Sequence, residues 1–217
     1  MINANPIAVF DFETTGLDTN TNYPIEIACQ IYDPFNLEPI PNAFFESLAK
    51  PPKDHLIDPK ALEICKISLE EIQKAPSIEI VWKEFVDFIK KHNVEKNGWT
   101  APIPAGHNIT GFDLKIAERM NKLYGEKKDK TLLFHKIRTI DLMNILFLWF
   151  ESDREVERFN LEYVCGYLGL PHQNAHRAKE DVLATGAIIM RFLKLHRRLL
   201  TSGKIKFKNS FVEKTID

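Results

Sequence analysis

Hydrophobic residues fill Ile7-Ala8-Val9-Phe10 and return at Phe12, so both faces of an extended segment there are apolar. That pattern predicts a central β-strand over 7–13, covered on both sides. Further strands are expected at 25–33, where Ile25-Glu26-Ile27-Ala28-Cys29-Gln30-Ile31-Tyr32 stands, and at 42–49 and 103–107. Pro24, the prolines of the 34–41 region and Pro51-Pro52 punctuate the first three strands, and their short connectors predict an antiparallel meander. Helical periodicity predicts helices over 77–92, 112–124, 139–150, 160–168 and 178–200. Strands alternate with helices after the meander. The expectation is an α/β fold with a mixed central β-sheet and helices on both faces.

Two residues break the apolar pattern of the first strand. Asp11 and Glu13 in Asp11-Phe12-Glu13-Thr14-Thr15-Gly16 leave the same face, about 7 Å apart at their roots. Unpaired carboxylates in a buried strand cost several kcal/mol each. A divalent-metal site at the strand end resolves that cost; the alternative is that both acids lie in water at the start of a loop. The small residues after them let backbone amides approach a ligand.

Two further segments carry matching chemistry. In Gly106-His107-Asn108-Ile109-Thr110-Gly111-Phe112-Asp113, Asp113 opens the helical pattern formed by Ile116, Ala117 and Met120. It reads as a first-turn acid or cap, or as a carboxylate at the rim of the sheet, and His107 as a surface histidine or a substrate contact. In His176-Arg177-Ala178-Lys179-Glu180-Asp181, the residue Asp181 falls on the stripe Ala178, Asp181, Thr185, Ile188 and Phe192, otherwise small or apolar. His176 is about 140° away on a continuous helix, which places it in the preceding loop or first turn. Lys179 and Glu180 fall on the opposite, solvated face.

Composition narrows the partners. The chain has 217 residues, 44% hydrophobic, enough for one domain with a real core. Its formal net charge is −1, so no global basic field holds nucleic acid, and any such binding must be local and short. Cys29, Cys65 and Cys165 are isolated, which indicates neither a disulfide frame nor a zinc site, and they read as core residues. With no leader pattern and no membrane-length apolar run, a cytoplasmic protein that binds no membrane is expected. The apolar helix with Leu146, Phe147, Trp149 and Phe150 reads as a buried face, with a partner surface as the alternative. Residues 1–200 are expected to form the domain. Residues 201–217, with Lys204-Ile205-Lys206-Phe207-Lys208, read as a basic tail, solvated, edge-pairing or touching a nucleic-acid backbone.

Taken together, Asp11, Glu13, Asp113, His176 and Asp181 resemble the histidine (DEDDh) branch of the DEDD 3′→5′ exonucleases, which includes the proofreading epsilon subunit of bacterial DNA polymerase III and exonuclease I. The first motif matches without a gap, and four residues separate His176 from Asp181 as that branch requires. The longer second motif, Asn108-x-x-x-Phe112-Asp113, is similar to exonuclease I, as is Asn174-Ala175-His176 followed by Asp181 and Ala184-Thr185. The segment from Pro59 to Ser68 also resembles the family, although Cys65-Lys66 replaces a more usual Asn/His-Gly pair. The likeness spans roughly residues 5–196.

The resemblance implies a ribonuclease H-like fold and two-metal hydrolysis of phosphodiester bonds. Carboxylates suit two Mg²⁺ or Mn²⁺ ions, about 3.5–4 Å apart. Asp11 would bridge both ions, Glu13 and Asp181 would serve the one carrying the attacking water, and Asp113 the other. His176 would take the proton from that water. Thr14 and Thr15 would offer backbone amides to the 3′ terminus, and Leu17 and Phe112 would pack against terminal bases, with core packing the alternative for both. His107 and Asn108 would contact substrate. The expected partner is a single-stranded DNA 3′ end. An exoribonuclease and a catalytically idle polymerase accessory are the alternatives, and a DNA polymerase or other replication or repair factor is the candidate protein partner.

Overall fold

The computed structural model describes residues 5–125, 132–172 and 176–201. In chain order its elements are β1 (Ile7–Thr14), β2 (Pro24–Tyr32), β3 (Pro39–Leu48), α1 (Pro59–Cys65), α2 (Leu69–Lys74), α3 (Ile78–Lys91), β4 (Ile103–Gly106), α4 (Asp113–Tyr124), β5 (Ile140–Asp141), α5 (Leu142–Phe150), α6 (Leu161–Tyr167) and α7 (Ala178–Thr201). The strands form one sheet in the order β3-β2-β1-β4-β5. The first three pair antiparallel, while β4 pairs parallel to β1 and β5 parallel to β4. The mixed sheet and its initial meander are as the proline punctuation predicts.

Alternation along β1 sorts the core into two layers. Ala8, Phe10 and Phe12 join Trp82, Phe85 and Ile89 of α3 and Ile116 and Met120 of α4 on one face. Phe10 and Phe12 both meet the Phe85 ring edge-on, with centroids 6.1 and 5.9 Å away. Ile7 and Val9 join Leu142, Leu146, Val164, Val182, Ile188 and Ile189 of α5, α6 and α7 on the other face. Each large side chain so buried contributes about 1.5–3 kcal/mol. Asp11 and Glu13 share the Ile7 and Val9 side, so they point toward α7.

The register between strands opens the site. β1 pairs with β4 only from Ile7↔Ile103 to Val9↔Ala105, whereas its pairing with β2 continues to Thr14. From Asp11 onward, one edge of β1 has no strand beside it among the described residues. Ligands in α/β sheets gather at such carboxyl ends of parallel strands.

The structure departs from the sequence pattern in four places. Residues 59–74 hold two helices that the periodicity does not reveal, because six or seven residues make fewer than two turns of stripe. Their caps were legible: Asp58 accepts from the Lys60 amide beside Pro59, and Ser68 and Glu71 form a capping box. β3 begins at Pro39 rather than 42. Residues 140–141 pair with β4, so the helix expected from 139 starts at Leu142. That helix, read as a buried face, buries Leu142 and Leu146 but leaves Phe147, Leu148 and Trp149 exposed. Its near-continuous apolar run is wider than the one stripe the core covers. All three cysteines are free and buried. No helix among the described residues is long and apolar enough to cross a membrane. The tail beyond residue 201 lies outside the described residues.

Close approach of α7 to the sheet depends on Gly186. A Cβ there would stand 2.2 Å from the Tyr32 hydroxyl and 2.7 Å from its ring carbon. Gly186→Ala is therefore expected to destabilise the protein by about 1–3 kcal/mol in denaturant unfolding, although alanine is the better helix former. Tyr32→Phe in the same chain should recover part of that loss. An unchanged or raised midpoint for the single variant would refute the close contact.

Candidate active site

β1 and α7 bring three carboxylates together. One ligand oxygen each from Asp11, Glu13 and Asp181 lies within 4.8 Å of the others. Asp113, at the first position of α4, is buried, and its Oδ1 accepts the Phe12 amide hydrogen at 3.0 Å. That amide is available because β4 has already left the edge of β1. The strand end thus presents Asp11 and Glu13 toward α7 while α4 supplies a fourth carboxylate from the open edge.

The electrostatics follow from burial and like charge. Burial, then Asp113, Glu13 and Asp181, push the Asp11 carboxyl well above the carboxylate range. Burial, then Asp181 and Glu26, raise Glu13 to about 8. Asp113 is raised to about 7 by burial, against the opposing bonds from the Phe12 amide and its own. The nearest guanidinium offers little relief. Arg177 is engaged with buried Glu26 through bonds of 2.6 and 3.1 Å. Clustered oxygens short of positive charge fit divalent cations that prefer oxygen ligands.

Asp11, Asp181, His107 and His176 also line one cavity of about 280 Å³, together with Asn160, Leu161, Glu162 and His172. His176 is exposed and has a left-handed backbone, φ 68°. His107 donates from Nε2 to the Phe159 carbonyl at 2.6 Å. The remaining candidates lie outside this cavity wall. Leu17 is 89% exposed at a loop tip, and Phe112 packs half-buried at the start of α4. Asn108, φ 55°, is exposed. The Thr14 hydroxyl donates to the Gly16 carbonyl. Thr15 departs from expectation: its amide donates to the Tyr23 carbonyl at 2.9 Å and so is not offered to a ligand. Its hydroxyl bonds Asn22 Oδ1 and His55 Nε2, which ties down the loop. Asn174 and Ala175 lie outside the described residues.

Three residues that hold the site escaped the sequence reading. Asp141 takes the amides of Asn108 and Thr110 and the Thr110 hydroxyl, and also caps α5 through the Met143 amide. An Asp before an apolar helical run is a legible cap, but its grip on a loop thirty residues away is not. Glu26 accepts from Arg177 and from the Ala178 amide at 2.9 Å, capping α7 from β2. A charge inside Ile25-Glu26-Ile27 was its only signal. His172 meets Asp181 at 2.7 Å, with no signal in the sequence.

A sequence model of the family described as Exonuclease, the RNase T group, matches residues 8–189. The chain belongs to this exonuclease family. Its resemblance to the DEDD 3′→5′ exonucleases stands on the same residues. The chain is 27% identical over 211 residues to the PolC-type DNA polymerase III of Thermotoga petrophila, covering 96% of this chain and 13% of the polymerase. The Bacillus cereus PolC-type enzyme is 27% identical over 192 residues, 86% of this chain and 11% of the polymerase. The chain therefore spans a small part of these relatives' length. Among solved structures, E. coli exonuclease I in complex with a dT13 oligonucleotide superposes with a TM-score of 0.73 at 21% identity, covering 91% of this chain and 43% of that one. Cell-death related nuclease 4 gives 0.71 at 18% identity, covering 88% and 64%. These likenesses establish the ribonuclease H-like fold.

The raised carboxyls make stability depend on pH. A carboxyl whose folded value exceeds its unfolded one stabilises the fold fully below the unfolded value and loses that contribution as pH rises through the folded one. For Glu13 and Asp113 the loss runs from the ordinary carboxylate range up to about 8 and about 7. Each unit of rise is about 1.4 kcal/mol, or about 3–6 °C of Tm at this chain length. The metal-free protein should melt several degrees lower at pH 9 than at pH 5, and millimolar Mn²⁺ should remove the difference. A flat metal-free profile in scanning calorimetry would contradict the site electrostatics.

Proposed function

We propose that this chain is a metal-dependent 3′→5′ exonuclease that hydrolyses single-stranded DNA from a free 3′-hydroxyl and releases 5′-mononucleotides. The observation that carries the reading is the convergence of Asp11, Glu13 and Asp181 at the open end of β1, with ligand oxygens within 4.8 Å and Arg177 occupied elsewhere. Asp11, Glu13 and Asp181 would hold Mg²⁺ or Mn²⁺, and Asp113 would complete a two-ion set. When bound, such ions polarise the scissile phosphate, activate water and stabilise the leaving oxygen.

The chain's own groups do the rest. His176, exposed and lining the cavity, accepts the proton of the attacking water on its imidazole. Leu17 and Phe112 would offer apolar surfaces to the terminal bases, which stack without regard to sequence. Thr14, His107 and Asn108 are the remaining substrate contacts, whereas Thr15 acts by fixing the loop that carries Leu17. Relatives named as DNA polymerases and a neighbour solved with an oligodeoxynucleotide support DNA as substrate and a polymerase as partner, in proofreading or repair.

Digestion of end-labelled single-stranded DNA, duplex DNA and RNA with Mg²⁺ tests this. Single-stranded DNA should shorten fastest, one nucleotide at a time from the 3′ end, and a 3′-phosphate should suppress digestion where a 5′ block does not. Cleavage of a closed single-stranded circle would overturn the exonuclease reading, and faster digestion of RNA the choice of substrate.

Asp11→Asn and Asp181→Asn should each leave under about a tenth of the rate with the fold intact, since lost ligands cost several kcal/mol of barrier. His176→Ala should cost about 10²–10⁴-fold while Mn²⁺ affinity, measured by calorimetry, stays near that of the wild type. Retained activity in either asparagine variant would refute the ligand assignment.

A further inference from the structure

The carboxylate that α7 contributes does not stand alone. His172 lies in the stretch between α6 and α7, and its Nε2 is 2.7 Å from Asp181 Oδ1. The side chains are 5% and 14% exposed, so neither is free to reorient in water. An ionised carboxylate can only accept, so Nε2 carries the hydrogen and donates it. The other ring nitrogen, Nδ1, is buried with no hydrogen-bond partner among the described residues. A buried ring with one nitrogen unsatisfied is a poor structural filler, and among the described residues its polar contact is with the site.

The geometry separates the two histidines of the cavity. His176 is exposed and its backbone is left-handed, whereas His172 is enclosed and already committed to Asp181. We propose that His172 is a positioning residue: its Nε2–H holds one oxygen of Asp181 so that the other faces Asp11 and Glu13 as a metal ligand. This deepens the metal-dependent reading above and rests on it. Asp181 sits among like charges that repel it, and a short side chain on a helix has alternative rotamers pointing away from them. A donor on the far oxygen removes that freedom before the ion arrives. Such outer partners of metal ligands typically govern affinity by 10–100-fold.

The test measures Mn²⁺ binding to the whole chain by isothermal calorimetry without nucleic acid, alongside the metal-free Tm and the rate as a function of Mn²⁺ concentration. His172→Ala should weaken Mn²⁺ binding about 10–100-fold, and excess Mn²⁺ should restore most of kcat. His172→Gln places an amide N–H near the position of Nε2 and should bind within about threefold of the wild type, on the strength of that one preserved donor. His172→Asn, whose amide reaches only as far as Nδ1, should not rescue. His176→Ala should leave affinity unchanged. Unaltered Mn²⁺ affinity in His172→Ala would overturn the proposal, as would a rate loss that excess Mn²⁺ does not restore, which would place His172 in the reaction itself. Equal loss in the alanine and glutamine variants, tracking a fallen metal-free Tm, would also overturn it in favour of simple packing. A wild type that binds Mn²⁺ in a His172-dependent way yet digests no nucleic acid would support the positioning role and refute the exonuclease function.

Discussion

Mutual repulsion among carboxylates at the end of β1 is the constraint that the rest of the structure answers to. Asp11, Glu13, Asp113 and Asp181 come from a strand and two helices, and the other three each raise the cost of ionising Asp11. No local interaction would assemble them. They are brought together by packing on both faces of the sheet, where Phe10 and Phe12 meet α3 and α4 while Ile7 and Val9 meet α5, α6 and α7. Hydrophobic burial in those layers offsets a polar arrangement that is unfavourable without cations.

Around this cluster the fold places other charges so that they do not neutralise it. Arg177 could have quenched Glu13 but is bound by Glu26, which also caps α7 through the Ala178 amide. Asp141 is buried close behind, yet its oxygens are consumed by amides of the Asn108 loop and of its own helix. Arg119 of α4 donates to the carbonyls of Thr19 and Asn22 and so latches the loop that carries Leu17. Positive charge is thereby spent on shaping the walls. The carboxylates are left for a ligand.

The parallel pairing of β1 with β4 ends at Val9, and this single feature of register links topology to chemistry. It frees the Phe12 amide for Asp113 and leaves a crevice beside Asp11. Had β4 continued two residues further, its backbone would occupy the place where α4 now begins. Gly106, where β4 ends, marks how tight the turn is, since a Cβ there would stand 3.0 Å from the Phe10 carbonyl oxygen.

Much of this was written in the order of residues. Alternation in Ile7-Ala8-Val9-Phe10 fixes a two-sided strand, the next two acids must share a face, and a lone Asp181 on an apolar stripe must meet something charged. Periods of two and of 3.6 are local properties, so a linear sequence carries them. Short capped helices at 59–74 were obscured only because they lack enough turns to show a period. What tertiary structure alone decided is of another kind. The bonds of His172 to Asp181, of Glu26 to Ala178 and of Asp141 to Asn108 span 9, 152 and 33 residues, and none follows from spacing. The occupied Thr15 amide likewise depends on where Tyr23 returns beside it. Hydrogen-bond partners are chosen by distance in space once the core has set the backbone, and the chain records only which groups are available to be chosen.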